Sequence, residues 1–187
     1  MKKGIKLATV AAVLLAAGTV AAFAGPFGFE MGMTLEQVQR ACGGRRPEHI
    51  EDDMYSISPT KKHSSLSMYV AYISPTEGLC AVLAGTEEIR LDPAIAPVKN
   101  KFYEIEGALS RSYGKSVLTD DLPSWTNWLY GLKEGSSKLE AQWSPNRNGI
   151  VKIVLSAKAE TLYTARIYVV YVFANYEKVE AQKDSVF

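Results

Sequence analysis

The stretch LSMYVAYI, residues 66–73, decides the fold. Its side chains alternate along the chain, so a β-strand built from it has two faces of different polarity. One face is formed by Leu66, Met68, Val70 and Tyr72, and the other by Ser67, Tyr69, Ala71 and Ile73. Such a strand belongs in a sheet whose more apolar face packs against other secondary-structure elements.

Further short runs with a strand-like pattern of apolar and polar residues lie on both sides of this stretch. Short polar connections separate them, which is typical of antiparallel hairpins. The predicted strands are residues 54–57, 66–73 and 79–84 in the first half, and residues 128–133, 138–143, 149–157 and 162–173 in the second.

Two segments show the period of amphipathic helices. Thr34 and Gln37 have the spacing of a capping box, and Gly43 ends the short helix that follows. The second helix has Pro97 in its first turn and ends before Gly114. One apolar stripe runs along it and consists of Val98, Phe102, Ile105 and Leu109.

These elements predict an α+β fold in the order helix, three strands, helix, four strands. Because each helix has one apolar stripe, both helices should lie on one face of an antiparallel sheet. We expect a single α+β domain over residues 25–187. If the repeated order reflects a tandem repeat, residues 25–92 and 93–187 are its two sub-modules.

The first 24 residues have the pattern of a bacterial secretory signal peptide. A basic start with three lysines precedes an uncharged apolar run over residues 7–23, and an A-x-A sequence places cleavage between Ala24 and Gly25. A retained membrane anchor is the alternative, although the run is slightly short for a span. Lipid attachment is excluded because the first cysteine is Cys42. We therefore expect a periplasmic or secreted protein without a stable membrane span.

The charge and the motifs of the chain exclude several classes of function. Loss of the three leader lysines takes the formal net charge from +1 to −2, which gives no electrostatic case for nucleic acid. No metal-binding, phosphate-binding or nucleophile motif occurs, so neither a metal nor a cofactor is expected. His49 and His63 lie in polar, turn-like stretches and are predicted to be solvated. We therefore expect no enzyme, unless folding assembles a site from distant residues.

The chain has two cysteines, Cys42 and Cys80. The periplasm or extracellular space to which we expect it to be exported is oxidising. A disulfide between them is predicted. It would close a loop of about 38 residues and stabilise the fold by about 3–4 kcal/mol. Two buried free thiols are the alternative.

The segment at residues 125–130 is rich in aromatic residues, which bury a large area with few rotamers. Trp125, Trp128 and Tyr130 are therefore candidate binding residues, and such side chains can stack on sugars. The alternative is that Trp128 and Tyr130 lie on the core face of a strand.

Residues 32–38, GMTLEQV, followed by Gly43 and Pro47, resemble the opening of small envelope modules of the BamE type, the SmpA/OmlA family. Those modules belong to lipoproteins and are single, whereas this chain lacks the lipid-bearing cysteine and has two helix-plus-sheet units. By element order alone, the chain is similar to β-lactamase-inhibitor-like proteins. That second resemblance implies a protein that binds a protein partner and has no catalytic site.

The leader, the missing catalytic motifs and the helix-on-sheet layout together predict an exported, non-enzymatic protein. We expect it to bind a protein partner in the cell envelope, in an assembly or inhibitor-like role. Binding of a cell-wall glycan or a small ligand by the aromatic segment is a second hypothesis. An enzyme whose site is not visible in the sequence is a third.

The predicted cleavage can be checked on protein recovered from its native host. We expect a chain that begins at Gly25, found in the periplasmic or secreted fraction, because the A-x-A sequence precedes that residue. Intact-mass spectrometry measures the start, and a cytoplasmic protein followed in parallel controls for leakage. A chain that retains residues 1–24, or recovery from cytosol alone, would contradict this prediction.

Overall fold

The computed structural model describes residues 25–90, 95–122 and 128–184. The predicted signal peptide at residues 1–24 lies outside the described residues. A short 3-10 turn at Pro26–Gly28 opens the described part of the chain.

Four α-helices and nine β-strands lie in the described ranges. The helices are α1 (Leu35–Ala41), α2 (Ala96–Tyr113), α3 (Trp128–Glu134) and α4 (Tyr176–Asp184). The strands are β1 (Glu48–Glu51), β2 (Met54–Ser56), β3 (Met68–Ser74), β4 (Gly78–Gly85), β5 (Ile89–Arg90), β6 (Val117–Asp120), β7 (Leu139–Trp143), β8 (Ile150–Ala159) and β9 (Thr164–Phe173).

All nine strands belong to one antiparallel sheet, which confirms the predicted α+β class. The strand order is β1-β2-β3-β4-β9-β8-β7-β6, and the short β5 also pairs with β9. The first four strands form one meander and β6 to β9 form another, and the two meet where β4 pairs with β9. The two predicted sub-modules therefore share a single sheet and a single core.

The first three helices pack on one face of the sheet, which we call the inner face. The predicted capping box opens α1, with the Thr34 hydroxyl accepting from the Gln37 N–H and the Gln37 side chain accepting from the Thr34 N–H at 2.7 Å. Pro97 lies in the first turn of α2, and Gly114 ends that helix. The predicted stripe of α2 is buried, as Val98, Phe102, Ile105 and Leu109.

The core is one continuous cluster of buried apolar side chains between these helices and the sheet. The sheet supplies alternate residues of its central strands, as expected for a pleated ladder. They include Tyr69, Ala71, Val82, Ala84, Leu139, Ala141, Trp143, Ile153, Leu155, Val169 and Tyr171.

The strand predicted at residues 128–133 is wrong, because this segment is the helix α3. Its buried residues Trp128, Gly131 and Leu132 follow the helical spacing of three and four, not the alternation of a strand. Gly131 has no side chain, so the following loop can close back and the Ser137 N–H donates to the Gly131 carbonyl at 3.1 Å. Aromatic β-propensity had suggested a strand here, and packing overrides it.

Three strands of the sheet, β1, β5 and β6, are not predicted from the sequence. All residues of β1 and β6 are exposed, so neither strand shows the alternation that marks a half-buried strand. The strand β6 takes the place beside β7 that the sequence assigned to residues 128–133. Pairing with their neighbours defines these strands, and only Ile89 of β5 packs against the core.

The predicted disulfide is wrong, because Cys42 and Cys80 are both free and buried. Cys42 ends α1 and has the charged neighbours Arg45 and Lys62, whereas Cys80 lies in β4 and donates its S–H to the Gly78 carbonyl at 3.0 Å. The two thiols thus occupy separate surroundings. Burial raises the pKa of both thiols, so they are poor nucleophiles.

Replacement of Phe102 tests the packing of α2. Phe102 is fully buried, so Phe102→Ala should lower the free energy of unfolding by about 3 kcal/mol or more through lost burial and a residual cavity. Asn100→Ala on the exposed side of the same helix is the matched control, and we expect a change within about 0.5 kcal/mol. Urea unfolding followed by circular dichroism measures both. A loss below half the expected value for Phe102→Ala would place that side chain outside the core.

The free state of the cysteines can be measured with a thiol reagent. Without reductant, the native protein should react slowly, because both thiols are buried. In denaturant, two thiols per chain should react at once, and the Cys42→Ser variant should give one. No reaction in denaturant until a reductant is added would show a disulfide instead.

Candidate functional site

The face of the sheet turned away from α1, α2 and α3, which we call the outer face, carries residues aligned in rows across neighbouring strands. The strand registers define two central rows. The first row is Met54, Tyr72, Ala81, Val172 and Lys152, and the second is Ser56, Val70, Leu83, Val170, Val154 and Gln142.

The middle of this outer face is apolar. Antiparallel sheets that cover a core with one face usually present polar side chains on the other. Here seven partly exposed apolar side chains meet instead, and we call them the outer strip: Met54, Val70, Tyr72, Leu83, Val154, Val170 and Val172. The strip can bury apolar surface of another molecule against five neighbouring strands, β2, β3, β4, β9 and β8.

A cavity of about 550 Å³ lies over the strip, beside the last helix. The Tyr176 ring of α4 meets the Tyr72 ring edge-on, with centroids 5.8 Å apart, and so forms one wall. The Asn175 amide holds this helix start in place by donating to the Glu77 and Leu79 carbonyls at 2.8 and 3.1 Å. The cavity is therefore a fixed concave feature of the outer face, not a gap between loops.

The charges around this cavity are mostly acidic. Glu51 at the end of β1 and Asp52 in the turn that follows line one side and are exposed to solvent, and Glu180 of α4 lines another. The nearest basic residue in the rows is Lys152, which ends the first row on β8. An apolar floor with an acidic rim favours a ligand that presents apolar groups beside a positive charge.

A third row closes the outer strip on its other side. In this row Met68, Gly85 and Tyr168 lie beside one another, and the Met68 and Tyr168 side chains cover the space that a side chain at residue 85 would fill. The Tyr168 hydroxyl donates to Glu160. Burial and this carboxylate raise the pKa of Tyr168 to about 12, so the hydroxyl stays protonated and acts as a donor.

The aromatic candidates from the sequence do not form one surface. Trp125 lies outside the described residues. Trp128 is only 5% exposed and belongs to the core, whereas Tyr130 of the same helix is 58% exposed. Since Trp128 and Tyr130 point to opposite environments, these two residues cannot stack together on one ligand.

The two histidines stand apart from the outer strip. A ring nitrogen of His49 lies 2.7 Å from the Asp52 carbonyl oxygen, and the ring packs edge-on against Tyr55. His63 accepts from the Ser65 N–H through Nδ1 at 3.2 Å. Within the described ranges, no group of three His, Cys, Asp or Glu side chains could hold a metal ion.

The outer strip was missed as a site, although two of its strands carried a signal. The alternation of residues 66–73 separates Met68, Val70 and Tyr72 from the core set. Residues 167–173 are apolar at nearly every position, which the sequence indicates only as a central strand. What the sequence does not give is that α1, α2 and α3 all pack on the other face, so that the strip residues stay partly exposed beside α4.

Comparisons with known proteins give no relative for this chain. A scan against protein-family models finds no match. Searches of curated proteins and of solved structures find no significant match either. No helix within the described ranges has both the length and the apolar character needed to cross a membrane.

Proposed function

We propose that the protein is exported to the cell envelope and binds a protein partner through the outer strip. The observation that carries this proposal is a partly exposed apolar patch on the face of the sheet opposite α1, α2 and α3, while the other face already packs a complete core. Contiguous apolar patches on a protein surface mark places where another molecule binds. A rigid, pleated surface of this kind suits a partner segment laid across the strands.

The charges identify the chemistry of the partner. Glu51 and Asp52 at the cavity rim favour a partner segment that places a lysine or arginine beside its apolar side chains. The apolar side chains would fill the cavity over Val70 and Leu83, and the cation would lie at the acidic turn. Electrostatic attraction between such an acidic rim and a positively charged partner increases the association rate. Added salt weakens this attraction.

Export and the family resemblances support the proposal without testing it. The leader pattern at residues 1–24 favours the periplasm, where envelope proteins meet their partners. The BamE-type motif coincides with the capping box at Thr34 and Gln37, and that box alone accounts for much of the motif. The similarity in element order to β-lactamase-inhibitor-like proteins favours an assembly or inhibitor-like role without catalysis.

The competing hypotheses have less support. A glycan platform built from Trp128 and Tyr130 is disfavoured because Trp128 is buried. An enzyme would need a nucleophile or an acid–base pair in a pocket. The outer cavity instead combines an apolar floor with exposed carboxylates at the end of β1 and in the turn that follows.

Site-specific photocrosslinking in the native host tests partner binding. We place p-benzoyl-phenylalanine at Val170, in the strip, and in a matched control at Thr119, which is exposed on the same face at the sheet edge. We expect a discrete protein adduct from residue 170 and none from residue 119. Leu83→Glu should reduce the adduct at least about tenfold by placing a charge on the apolar floor.

Two further measurements sharpen this test. The double variant Glu51→Gln and Asp52→Asn should weaken purified partner binding at low salt and less at high salt. Circular dichroism checks that Leu83→Glu stays folded, as expected for a side chain that is already partly exposed. Equal adducts at residues 170 and 119, an adduct to a second copy of this chain, or no adduct at all would refute the proposal.

A further inference from the structure

A second cavity, of about 440 Å³, lies on the inner face of the sheet between the 3-10 turn, α2 and β9. It is separated from the outer strip by the sheet itself. Pockets that hold small organic ligands span roughly 300–1,000 Å³. The walls are mainly apolar and aromatic, and they include Phe27, Leu66, Ile105, Leu109, Tyr113 and Tyr171.

Aromatic contacts fix the wall formed by the 3-10 turn. The Phe27 ring meets Tyr69 and Tyr171 edge-on, with centroid distances of 5.0 and 5.6 Å. These contacts hold the Phe27 backbone at φ 58°, a left-handed conformation that is uncommon for an aromatic residue. The cavity is therefore preformed by packing.

Two phenol hydroxyls at this cavity lack a hydrogen-bond partner among the residues that the structure describes. The rings of Tyr113 and Tyr171 lie 6.2 Å apart, and Tyr171 is only 5% exposed. By contrast, the neighbouring Tyr69 hydroxyl donates to the Leu66 carbonyl at 3.0 Å. Both side chains line the cavity, so each hydroxyl can donate to an acceptor on a ligand bound there.

Two further polar side chains of the cavity can also act as donors. Arg111 lines it, and no described carboxylate forms an ion pair with this guanidinium. His63 lines it as well, and because its Nδ1 accepts from Ser65, the proton of the neutral ring is on Nε2. None of the described lining residues is acidic. The polar side of the cavity thus matches an anion.

We propose that this cavity binds a medium-chain aliphatic monocarboxylate. The hydrocarbon chain packs between Phe27 and the α2 side chains Ile105 and Leu109. The carboxylate accepts hydrogen bonds from the Tyr113 and Tyr171 hydroxyls and pairs with the guanidinium of Arg111. Both oxygens of a carboxylate can be used in this way, since the guanidinium supplies only donors and each phenol can donate its O–H.

Other ligand classes fit the same groups less well. A cation would meet Arg111 without any carboxylate among the described lining residues. A neutral hydrocarbon would leave the hydroxyls of Tyr113 and Tyr171 without an acceptor. A sugar needs acceptors as well as donors, and the walls of this cavity are predominantly aromatic and aliphatic.

Calorimetric titration of the purified full chain with three probes of equal length tests this proposal. We use decanoate, decanol and decylamine, all below their micelle-forming concentrations. Decanoate should bind with one-to-one stoichiometry and at least about tenfold more tightly than decanol, because charge-assisted hydrogen bonds hold its head group. Decylamine should bind more weakly than both.

Variants locate the binding in this cavity. Arg111→Gln should weaken decanoate about tenfold and leave decanol unchanged, while Lys115→Gln, an exposed charge just after α2, serves as the matched control. Ala108→Phe should abolish binding of both probes by filling the cavity. Leu83→Glu on the outer face should bind decanoate normally, so a failed partner proposal leaves this result unaffected.

Three results of these titrations would contradict carboxylate binding in this cavity. Absence of decanoate binding, equal affinities for decanoate and decylamine, or undiminished decanoate binding in Arg111→Gln would each overturn the proposal. Thermal unfolding of every variant shows whether it is folded. If Ala108→Phe does not fold, Tyr171→Phe takes its place and should weaken decanoate but not decanol.

Discussion

Pairing of β4 with β9 is the constraint on which the rest of the structure depends. The ladder runs from the pair Ala81–Val172 to the pair Gly85–Tyr168. Buried Thr86 extends it, since its N–H donates to the Ile167 carbonyl at 3.0 Å and its hydroxyl accepts from the Ile167 N–H at 3.2 Å. Without this ladder, each half would be a small meander with an open hydrogen-bonding edge. With it, one continuous sheet presents two broad faces.

The central position of β9 explains why both proposed binding surfaces adjoin it. A strand with neighbours on both sides and apolar residues at nearly every position can bury one face fully and leave the other partly exposed. Val169 and Tyr171 face inward to the core and the inner cavity, whereas Val170 and Val172 face the outer strip. The helices α1, α2 and α3 cover the inner face, whereas α4 lies beside the outer strip and forms one wall of its cavity.

The sequence predicts those elements whose pattern is local. The capping box at Thr34, the stripe that contains Phe102 and the central strands all follow from spacing within one segment, and they were confirmed. The failures depend on distant contacts. The helix that begins at Trp128 takes its form from packing on β8, and the predicted disulfide failed because the fold gives Cys42 and Cys80 separate surroundings.

Neither of the two proposed binding surfaces could have been predicted from the sequence, because both depend on the register between strands that are distant in the chain. Val70 and Leu83 come beside Val170 only through the pairing of β3 with β4 and of β4 with β9. A shift of one residue in β9 would exchange its inward and outward sets, and would place Tyr171 on the outer face. The alternation of apolar residues can be seen within each strand. Which of the two alternating sets faces the helices, however, depends on how the strands pair in the sheet. Prediction of the surfaces therefore requires the β4–β9 register, and the sequence contains no local signal for it.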